Sequence, residues 1–236
     1  MVNEIRRIDL NADLGEGVTD DASLLQVVTS ANVACGFHAG DETVMREVCE
    51  RAAELGVVVG AQVSYADREG FGRRPMDPAP EVLTSWVREQ VAALSEIART
   101  AGTRVRYVKA HGALYNRAAD DDLQAIALLD GSGDLPVLGL PGSVLVRMAV
   151  GRGRTVVGEG FPDRGYTASG RLLPRSEAGA LVLKPADVAA NAVRLATTPG
   201  IRTVCVHGDS PGAVAVAKAV RDALERASFD VRPWSD

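Results

Sequence analysis

The chain has 236 residues, of which 46 % are hydrophobic and 24 % are charged, and its formal net charge at pH 7 is −5. These proportions are those of an ordinary globular protein, and no Lys/Arg cluster indicates a nucleic acid or an anionic membrane as a partner. No apolar run has the length of a signal-peptide core or a membrane span, and the three cysteines show no C-x-x-C spacing. We therefore expect a cytoplasmic protein with reduced thiols.

Short β-branched runs alternate with longer helical patterns along the chain. The predicted strands, in order, are Ile5–Leu10, Ala31–Cys35, Val57–Ala61, Val105–Ala110, Pro136–Leu140, Thr155–Gly158 and Thr203–Val206. Apolar residues recur at three- and four-residue steps between residues 83 and 101, and again between residues 213 and 227, which predicts amphipathic helices. Ser210 and Pro211 are predicted to begin the last helix, as its N-cap and first helical residue.

The strands are continuous apolar runs, which is typical of parallel strands covered on both faces. Seven strand–helix units favour a parallel sheet with right-handed crossovers, either closed or doubly wound. A closed (β/α) barrel is preferred, because the sequence has neither a G-x-G-x-x-G after the first strand nor a P-loop. No linker or composition break divides the sequence, so residues 1–236 are predicted to form one domain. The loops at residues 65–80 and 160–174 are long enough to act as lids.

The three histidines share one local context. His38, His111 and His207 each follow an apolar run and are followed at once by small residues. In a parallel barrel the carboxyl ends of the strands meet at one edge, which is where active sites are built. Histidine is also the side chain whose charge changes most readily near neutral pH. The sequence therefore predicts an enzyme with imidazoles at this edge.

Carboxylates follow the first two predicted strands. Asp13 and Glu16 come just beyond the first strand. Asp13 either caps a turn or, facing His38, forms an acid–base pair able to move a proton to or from a substrate. Asp41 either binds substrate or caps the following helix, since aspartate is a strong N-cap residue.

Lys109 ends the fourth predicted strand two residues before His111, so both side chains point to the same side. A lysine at the end of an apolar run needs an anionic partner if it is buried, and it is a candidate for stabilising an oxyanion. His111 is either catalytic or a core imidazole. We predict that replacing Lys109 with alanine leaves stability nearly unchanged and lowers turnover by ~10²–10³.

The later loops offer further candidates for substrate binding. Arg73 could grip a carboxylate or phosphate, or it belongs to a solvated loop. Glu159 lies directly beyond its strand, and Arg164 could bind substrate or simply pair with the adjacent Asp163. His207 precedes a predicted helix N-terminus, a place suited to anions, and Asp209 is equally a turn residue.

Two other chemistries are disfavoured by the sequence. No serine lies in a G-x-S-x-G elbow, and nothing marks the Cys35 thiol as acidified. A divalent ion bound by Asp13 and two histidines is chemically reasonable, but the local spacings match no metal signature, so no metal ligand is assigned.

Six motifs, in this order, carry a resemblance to a known family. They are LNADLGEG, SANVACGFHAGD, GAQVSYADREGFGRRPM, VKAHGALYN, EGFPDRGY and VHGDSP. From Asp9 to about Leu224 the chain resembles the LamB/YcsF family, whose members are described as the A subunit of 5-oxoprolinase. The resemblance implies a distorted TIM-like (β/α) barrel of the glycoside hydrolase/deacetylase type. It also implies ATP-dependent opening of 5-oxo-L-proline (pyroglutamate) to L-glutamate, together with 5-oxoprolinase subunits B and C as partners.

The chain departs from the family's pattern at three places. Ala12 stands where members usually have cysteine, Gln62-Val63 where they usually have His-Pro, and Ala66 where proline is common. If the missing histidine were a metal ligand, Gln62 would be a poor replacement, which weakens a metal-dependent mechanism. The positions that match the pattern are Asn11, Asp13, Glu16, His38, Asp41, Lys109, His111, Arg164, His207 and Asp209.

These observations lead to one set of expected roles. The predicted catalytic residues are Asp13, His38, Lys109 and His111. The predicted substrate-binding residues are Asn11, Glu16, Asp41, Arg73, Glu159, Arg164, His207 and Asp209. ATP is expected as a co-substrate, with its chemistry either shared with the partner subunits or performed by them with Mg²⁺, and no tightly bound cofactor is expected on this chain. The alternatives are a metal-dependent deacetylase or amidohydrolase acting on a carbohydrate derivative, and a non-catalytic subunit that presents substrate.

Overall fold

Seven parallel strands form a closed barrel at the centre of the molecule. The computed structural model describes residues 6–18, 20–208 and 212–235. Each strand pairs with the next in chain order, and β1 pairs with both β2 and β7, which closes the barrel. The strands are β1 (Arg6–Leu14), β2 (Ser30–Ala34), β3 (Val58–Val63), β4 (Val105–Ala110), β5 (Val137–Gly139), β6 (Val156–Gly160) and β7 (Ile201–Val206). The predicted barrel is confirmed.

Helices connect the strands, and each packs apolar side chains against the barrel or its neighbouring helices. They are α1 (Asp21–Leu25), α2 (Glu42–Leu55), α3 (Pro80–Thr100), α4 (Gly112–Ala118), α5 (Asp122–Gly131), α6 (Val144–Gly151), α7 (Pro185–Ala196) and α8 (Ala213–Arg226). The predicted apolar face of α3 is confirmed, with Leu83, Val87 and Leu94 fully buried. Within the described ranges, no helix is both long and apolar enough to cross a membrane.

A short strand that the sequence analysis missed, β8 (Phe229–Val231), pairs in parallel with Arg6–Ile8 at the start of β1. Close by in sequence, the buried Trp234 packs edge-on against Tyr107, with ring centroids 6.1 Å apart. Three residues are too few to show a periodic pattern, so this strand gives no clear sequence signal. The predicted Ser210–Pro211 helix start lies outside the described residues.

Three strands continue past their predicted ends. β1 was expected to end at Leu10 but reaches Leu14, and β3 and β6 each run two residues further than predicted. The added segments contain buried polar side chains, namely Asn11, Asp13, Gln62 and Glu159. An apolar run stops at such residues, whereas a barrel interior accepts them when they find partners.

The two long loops fold onto the carboxyl ends of the strands. In the first, residues 64–79, the Gly72 carbonyl accepts a hydrogen bond of 2.8 Å from Ala113 N, at the start of α4. Gly72 has φ +66°, and a Cβ there would lie 2.2 Å from Ser64 Oγ, so glycine is required. The second loop, residues 161–184, is held by antiparallel bridges between Arg164 and Leu181 and between Tyr166 and Leu172. Both predicted lids are thus tied down by backbone contacts.

A carboxylate lies inside the barrel beneath these loops. Asp9 is fully buried and accepts hydrogen bonds of 2.7 Å from Thr29 Oγ1 and Ser30 Oγ, and a further one from the Thr203 hydroxyl. Burial raises the pKa of Asp9 from 3.8 to about 6, although these hydroxyl donors lower it.

Replacing Asp9 with asparagine should change the pH dependence of stability. The folded chain holds the Asp9 proton more tightly than the unfolded chain, so the Asp9 contribution is greatest at low pH and falls as the pH rises through about 4 to 6. Between about pH 3 and pH 7 the wild type should lose about 3 kcal/mol of unfolding free energy relative to Asp9→Asn. Urea unfolding across this range measures the difference, with the exposed Asp187→Asn as the control. Parallel curves for wild type and Asp9→Asn would contradict the assignment.

Candidate active site

Six polar side chains from five separate segments meet at the carboxyl end of the barrel. Asp13 lies on β1, Lys109 on β4 and Glu159 on β6, while His38, His111 and His207 follow β2, β4 and β7. All six side chains are buried. This edge of a (β/α) barrel is where catalytic residues are usually found.

Lys109 is the centre of this cluster. Its Nζ lies 2.9 Å from Asp13 Oδ1, 3.0 Å from Glu159 Oε1 and 3.1 Å from Cys205 Sγ. Burial by itself lowers the pKa of Lys109, but the charges of Asp13 and Glu159 raise it well above its usual value. Burial likewise opposes the ionised form of Asp13, yet Lys109 holds the Asp13 pKa well below its ordinary range. Lys109 is therefore a fixed cation and Asp13 a fixed anion.

The buried position of Lys109 corrects our expectation that its replacement would be nearly silent in stability. The Lys109 side chain is only 3 % exposed, so Lys109→Ala leaves two buried carboxylates without their cation. Such a loss typically costs about 3–5 kcal/mol. Urea unfolding should show this loss, while the exposed Lys218→Ala should unfold like the wild type. Equal stability of Lys109→Ala and the wild type would show that Lys109 does not form a buried ion pair with Asp13 and Glu159 in solution.

The side chains below Asp13 form a hydrogen-bond network that fixes which atom of each amide faces which partner. Asn32 Nδ2 donates to Asp13 Oδ1 at 2.9 Å and to Asn11 Oδ1 at 2.7 Å. Tyr107 OH donates to Asn32 Oδ1 at 2.7 Å, which fixes the Asn32 amide with its nitrogen toward Asp13. Asn11 in turn donates to Thr203 Oγ1 at 2.6 Å. Asn11 is fully buried in this network. Its side chain is bonded to other residues of the barrel interior and does not line the cavity, where contact with substrate was predicted.

His38 and His111 stack on one another beside the lysine cluster. Their ring centroids are 4.1 Å apart and their planes differ by 14°. Gln62 bridges them, with Oε1 3.2 Å from His38 Nε2 and Nε2 3.0 Å from His111 Nδ1. Glu16 Oε1 lies 3.6 Å from His38 Nε2 and 3.4 Å from His111 Nδ1.

The hydrogen bonds of His111 determine where the protons lie. Burial, and then the charge of His38, lower the pKa of His111 well below its usual value, so the ring is neutral. Its Nε2 lies 3.1 Å from the Phe71 carbonyl, which can only accept, so Nε2 carries the proton. Nδ1 then accepts from the Gln62 amide nitrogen, and Gln62 Oε1 accepts from His38 Nε2–H.

Glu16, His38 and His111 are also the described residues that could hold a metal ion, with one donor atom from each lying within 4.8 Å of the others. However, His38 Nε2 and His111 Nδ1, the ring nitrogens nearest Glu16, are the two that Gln62 bridges. A cation coordinated by these nitrogens would have to displace the Gln62 amide. The donor set therefore fits a metal only if Gln62 moves.

His207 is paired with Asp163. The Nδ1–Oδ2 distance is 2.7 Å, and the Phe161 ring stacks on the imidazole with centroids 5.5 Å apart. Burial lowers the pKa of His207, but the Asp163 charge and hydrogen bond outweigh it, and the pKa is raised. Asp163 is therefore hydrogen-bonded to His207, and its charge interaction with Arg164, its neighbour in sequence, is secondary.

A cavity of about 450 Å³ opens beside these groups. Asp13, Lys109, His111 and His207 line it together with Tyr115 and Phe161. Arginines contribute much of the rest of the lining, namely Arg73, Arg164, Arg171 and Arg175. The cations outnumber the lining carboxylates, Asp13 and Asp120, so the cavity suits an anionic ligand.

Several of these arginines have defined partners. Arg164 donates from Nε to the Ala180 carbonyl at 3.1 Å and from Nη2 to the Leu173 carbonyl at 2.6 Å. Its guanidinium thus holds the loop of residues 161–184 in place with neutral acceptors. Arg171 lies 2.8 Å from Asp120. Arg73 lies over the Phe71 ring, with its guanidinium carbon 4.9 Å from the ring centroid.

The structure separates the twelve expected site residues into several groups. Asp13, Arg73, Lys109, His111, Arg164 and His207 line the cavity. Asn11, Glu16, His38 and Glu159 are buried and are not part of its lining. Asp41 is exposed and has a different task, because its side chain accepts from Val44 N at 3.0 Å and caps α2. Asp209 lies outside the described residues.

Sequence reasoning missed Asn32, Asp163 and Arg175 as part of this region. A signal for Asn32 was available, since an asparagine inside the apolar run of β2 must find a partner if the strand is buried on both faces. Asp163 had no such signal, because its partner is 44 residues away.

A closed parallel barrel with a charged cavity at its carboxyl edge defines the class of (β/α)-barrel enzymes. Comparison with known proteins narrows this class. The sequence matches the LamB/YcsF family over residues 8–236, and the chain belongs to that family.

Individual relatives agree with this placement. The chain is 54 % identical to the 5-oxoprolinase A subunit of Streptomyces avermitilis, over 97 % of this chain and all of the relative. It is 38 % identical to the lactam utilization protein of Thermus thermophilus, whose crystal structure superimposes with a TM-score of 0.87 over 96 % of this chain and 99 % of the other. A peptidoglycan N-acetylglucosamine deacetylase catalytic domain from Eubacterium rectale shares the fold, with 12 % identity and a TM-score of 0.57 over 99 % and 90 % of the two chains.

Proposed function

We propose that this chain is the A subunit of a 5-oxoprolinase and that it hydrolyses the cyclic amide of 5-oxo-L-proline to give L-glutamate. Close relatives over nearly the whole chain carry this name. The observation that carries the proposal is the cavity, where Lys109 and Asp13 lie among arginines. A small lactam carboxylate matches both the charge and the position of these groups.

The chemistry of a five-membered lactam explains the need for these residues. Its amide is stabilised by resonance, so water attacks the carbonyl carbon slowly. Lys109, a fixed cation at the cavity, would stabilise the negative charge that develops on the carbonyl oxygen. Arg73, which lines the cavity, would hold the substrate carboxylate through charge-assisted hydrogen bonds.

The roles expected for Asp13 and His38 change with the geometry. Because the Asp13 pKa is held well below its ordinary range, Asp13 is a weak base. It is better suited to orient a water molecule through Oδ2, which lies 3.9 Å from His111 Nδ1. His38 is buried behind His111 and would act on the cavity only through Gln62 and His111.

ATP and the partner subunits belong to the same proposal. The sequence contains no P-loop, so we assign ATP and its Mg²⁺ to the partner subunits B and C, with this chain supplying the lactam site. Phosphorylation of the amide oxygen would make the ring carbon more electrophilic and reduce the demand on a base. We also assign the protein to the cytoplasm, in keeping with its three free, buried cysteines.

The decisive assay follows 5-oxoproline-dependent formation of ADP and glutamate. We expect turnover when this chain is mixed with subunits B and C, and none when this chain is omitted. Arg73→Ala should raise the KM for 5-oxo-L-proline by about 10- to 100-fold, because a charge-assisted contact to the substrate is lost. The exposed Arg226→Ala serves as the matched control.

Two results would contradict this proposal. The first is the absence of 5-oxoproline-dependent ADP and glutamate from the complete mixture. The second is an unchanged glutamate rate when this chain is left out. If this chain only presents substrate, it should release no glutamate from a chemically activated lactam in a single-turnover experiment, whereas a catalytic chain should.

A metal-dependent amidohydrolase is the second candidate, and the Glu16, His38 and His111 donor atoms are the observation that favours it. The kinship with deacetylases shows the fold alone. We expect elemental analysis of protein purified without chelator to find less than stoichiometric zinc, manganese or iron, because Gln62 bridges the two ring nitrogens. A stoichiometric ion that is lost in Glu16→Gln would overturn this expectation and favour the metal-dependent reaction.

A further inference from the structure

Cleaving a lactam requires a proton for the departing nitrogen. When the ring C–N bond breaks, its electron pair goes to nitrogen, and an amide anion is too basic to leave unprotonated. General acid catalysis at such a step typically contributes ~10²–10⁴ in rate. A cavity side chain that can supply this proton near neutral pH is therefore needed.

Most of the ionisable groups lining the cavity are unsuited to this task. Asp13 is held as a carboxylate and has no proton to give. Lys109 is fixed between Asp13 and Glu159, and its raised pKa makes it a poor donor. His111 carries its proton on Nε2, which is engaged with the Phe71 carbonyl. The buried Tyr115 hydroxyl has a pKa raised well above its usual value.

His207 has the arrangement of a proton donor. Asp163 Oδ2 accepts from Nδ1–H at 2.7 Å, which leaves Nε2 available to a molecule in the cavity that His207 lines. Asp163 also lies 3.4 Å from the His207 backbone nitrogen, so the carboxylate is aligned with both groups. The Phe161 ring covers one face of the imidazole, with the planes 23° apart. The ring is thus held in one orientation from two sides.

We infer that His207 is the general acid that protonates the ring nitrogen as the lactam opens, and that Asp163 positions it. The inference rests on the proposed function. Water adds to the ring carbonyl carbon, the C–N bond breaks, and the Nε2 proton of His207 moves to nitrogen. The proton released by the water returns to the imidazole, so ring opening consumes one water. Where ATP has phosphorylated the carbonyl oxygen, ring opening leaves an acyl phosphate, and a second water releases its phosphate.

The electrostatic surroundings of His207 agree with this role. Burial opposes the protonated imidazole, and so does the charge of Arg175, whereas Asp163 and Asp13 favour it. The Phe161 ring that stacks on the imidazole also contacts Lys109, whose Nζ lies 5.3 Å from the ring centroid. The balance raises the pKa of His207, so the proton is retained to higher pH than in a free histidine.

The first test compares two leaving groups in the complete three-subunit mixture. The substrates are 5-oxo-L-proline and its oxygen analogue, the γ-lactone 5-oxotetrahydrofuran-2-carboxylate, whose alkoxide can depart without a proton donor. His207→Gln should lower kcat for the lactam by ~10²–10⁴ but that for the lactone by less than about tenfold. Equal losses on both substrates, or no loss on the lactam, would overturn the inference.

The second test separates the positioning role of Asp163 from a structural one. Asp163→Asn should shift the alkaline limb of the lactam kcat profile to lower pH, because the imidazole loses the charge that retains its proton. The exposed Asp187→Asn should leave the profile unchanged. A lower rate with an unshifted limb would mean that Asp163 only supports the fold.

A third measurement does not depend on activity. The chain has three histidines, so ¹⁵N-labelled imidazole signals can be assigned by single replacements. Asp163→Asn should lower the pKa of His207 by about one unit or more. If the wild-type mixture cleaves no lactam, the proposed function fails. The Asp163–His207 coupling is then judged by this titration alone, and an unchanged pKa would overturn it.

Discussion

The ion pair that Lys109 makes with Asp13 and Glu159 is the interaction on which the rest of this site depends. It joins β4 to β1 and to β6, three strands that approach the carboxyl edge from different parts of the barrel. Without a cation between them, two buried carboxylates could not lie this close together inside the barrel. In the proposed function, the same cation meets the negative charge that develops on the bound carbonyl oxygen. Structural and chemical demands on Lys109 therefore coincide, and they cannot be separated by simply deleting its side chain.

The barrel interior supports this arrangement with neutral polar groups. Hydroxyls from Thr29, Ser30 and Thr203 satisfy Asp9, and a chain of amides continues upward from Thr203 through Asn11 and Asn32 to Asp13. Thr203, Asn11 and Asn32 each both donate and accept, so few alternative orientations are available to these side chains. The charged groups at the mouth thus lie above a layer of hydrogen-bonded polar side chains. This helps to explain how a barrel with so polar an interior holds one defined geometry.

The architecture could be predicted from the sequence more completely than the role of each residue in the site. Apolar runs and helical periodicity were sufficient to predict seven strands, because burial on both faces imposes that pattern. Strand ends were harder, since Asn11, Asp13 and Gln62 look like the start of a loop and in fact continue the barrel. Residue type and position also showed that Asp13, Lys109 and His207 would lie at one edge. They could not show that Asp41 caps a helix, or that Asp163, in the loop after β6, pairs with His207 at the end of the neighbouring β7. Those facts depend on where loops fold in space.

The contact between Trp234 and Tyr107 links the last described segment of the chain to the interior of the barrel. Tyr107 donates to Asn32, which donates to Asp13, so three successive contacts connect the indole ring to the carboxylate at the mouth. β8, a few residues earlier, also pairs with β1, the strand that carries Asp13. Removing the residues from 229 onward, or fusing a bulky tag close to Trp234, would therefore disturb the contacts at the start of β1, at the opposite end of this strand from Asp13. The last described segment therefore packs against the strand that carries Asp13, although none of its described residues lines the cavity.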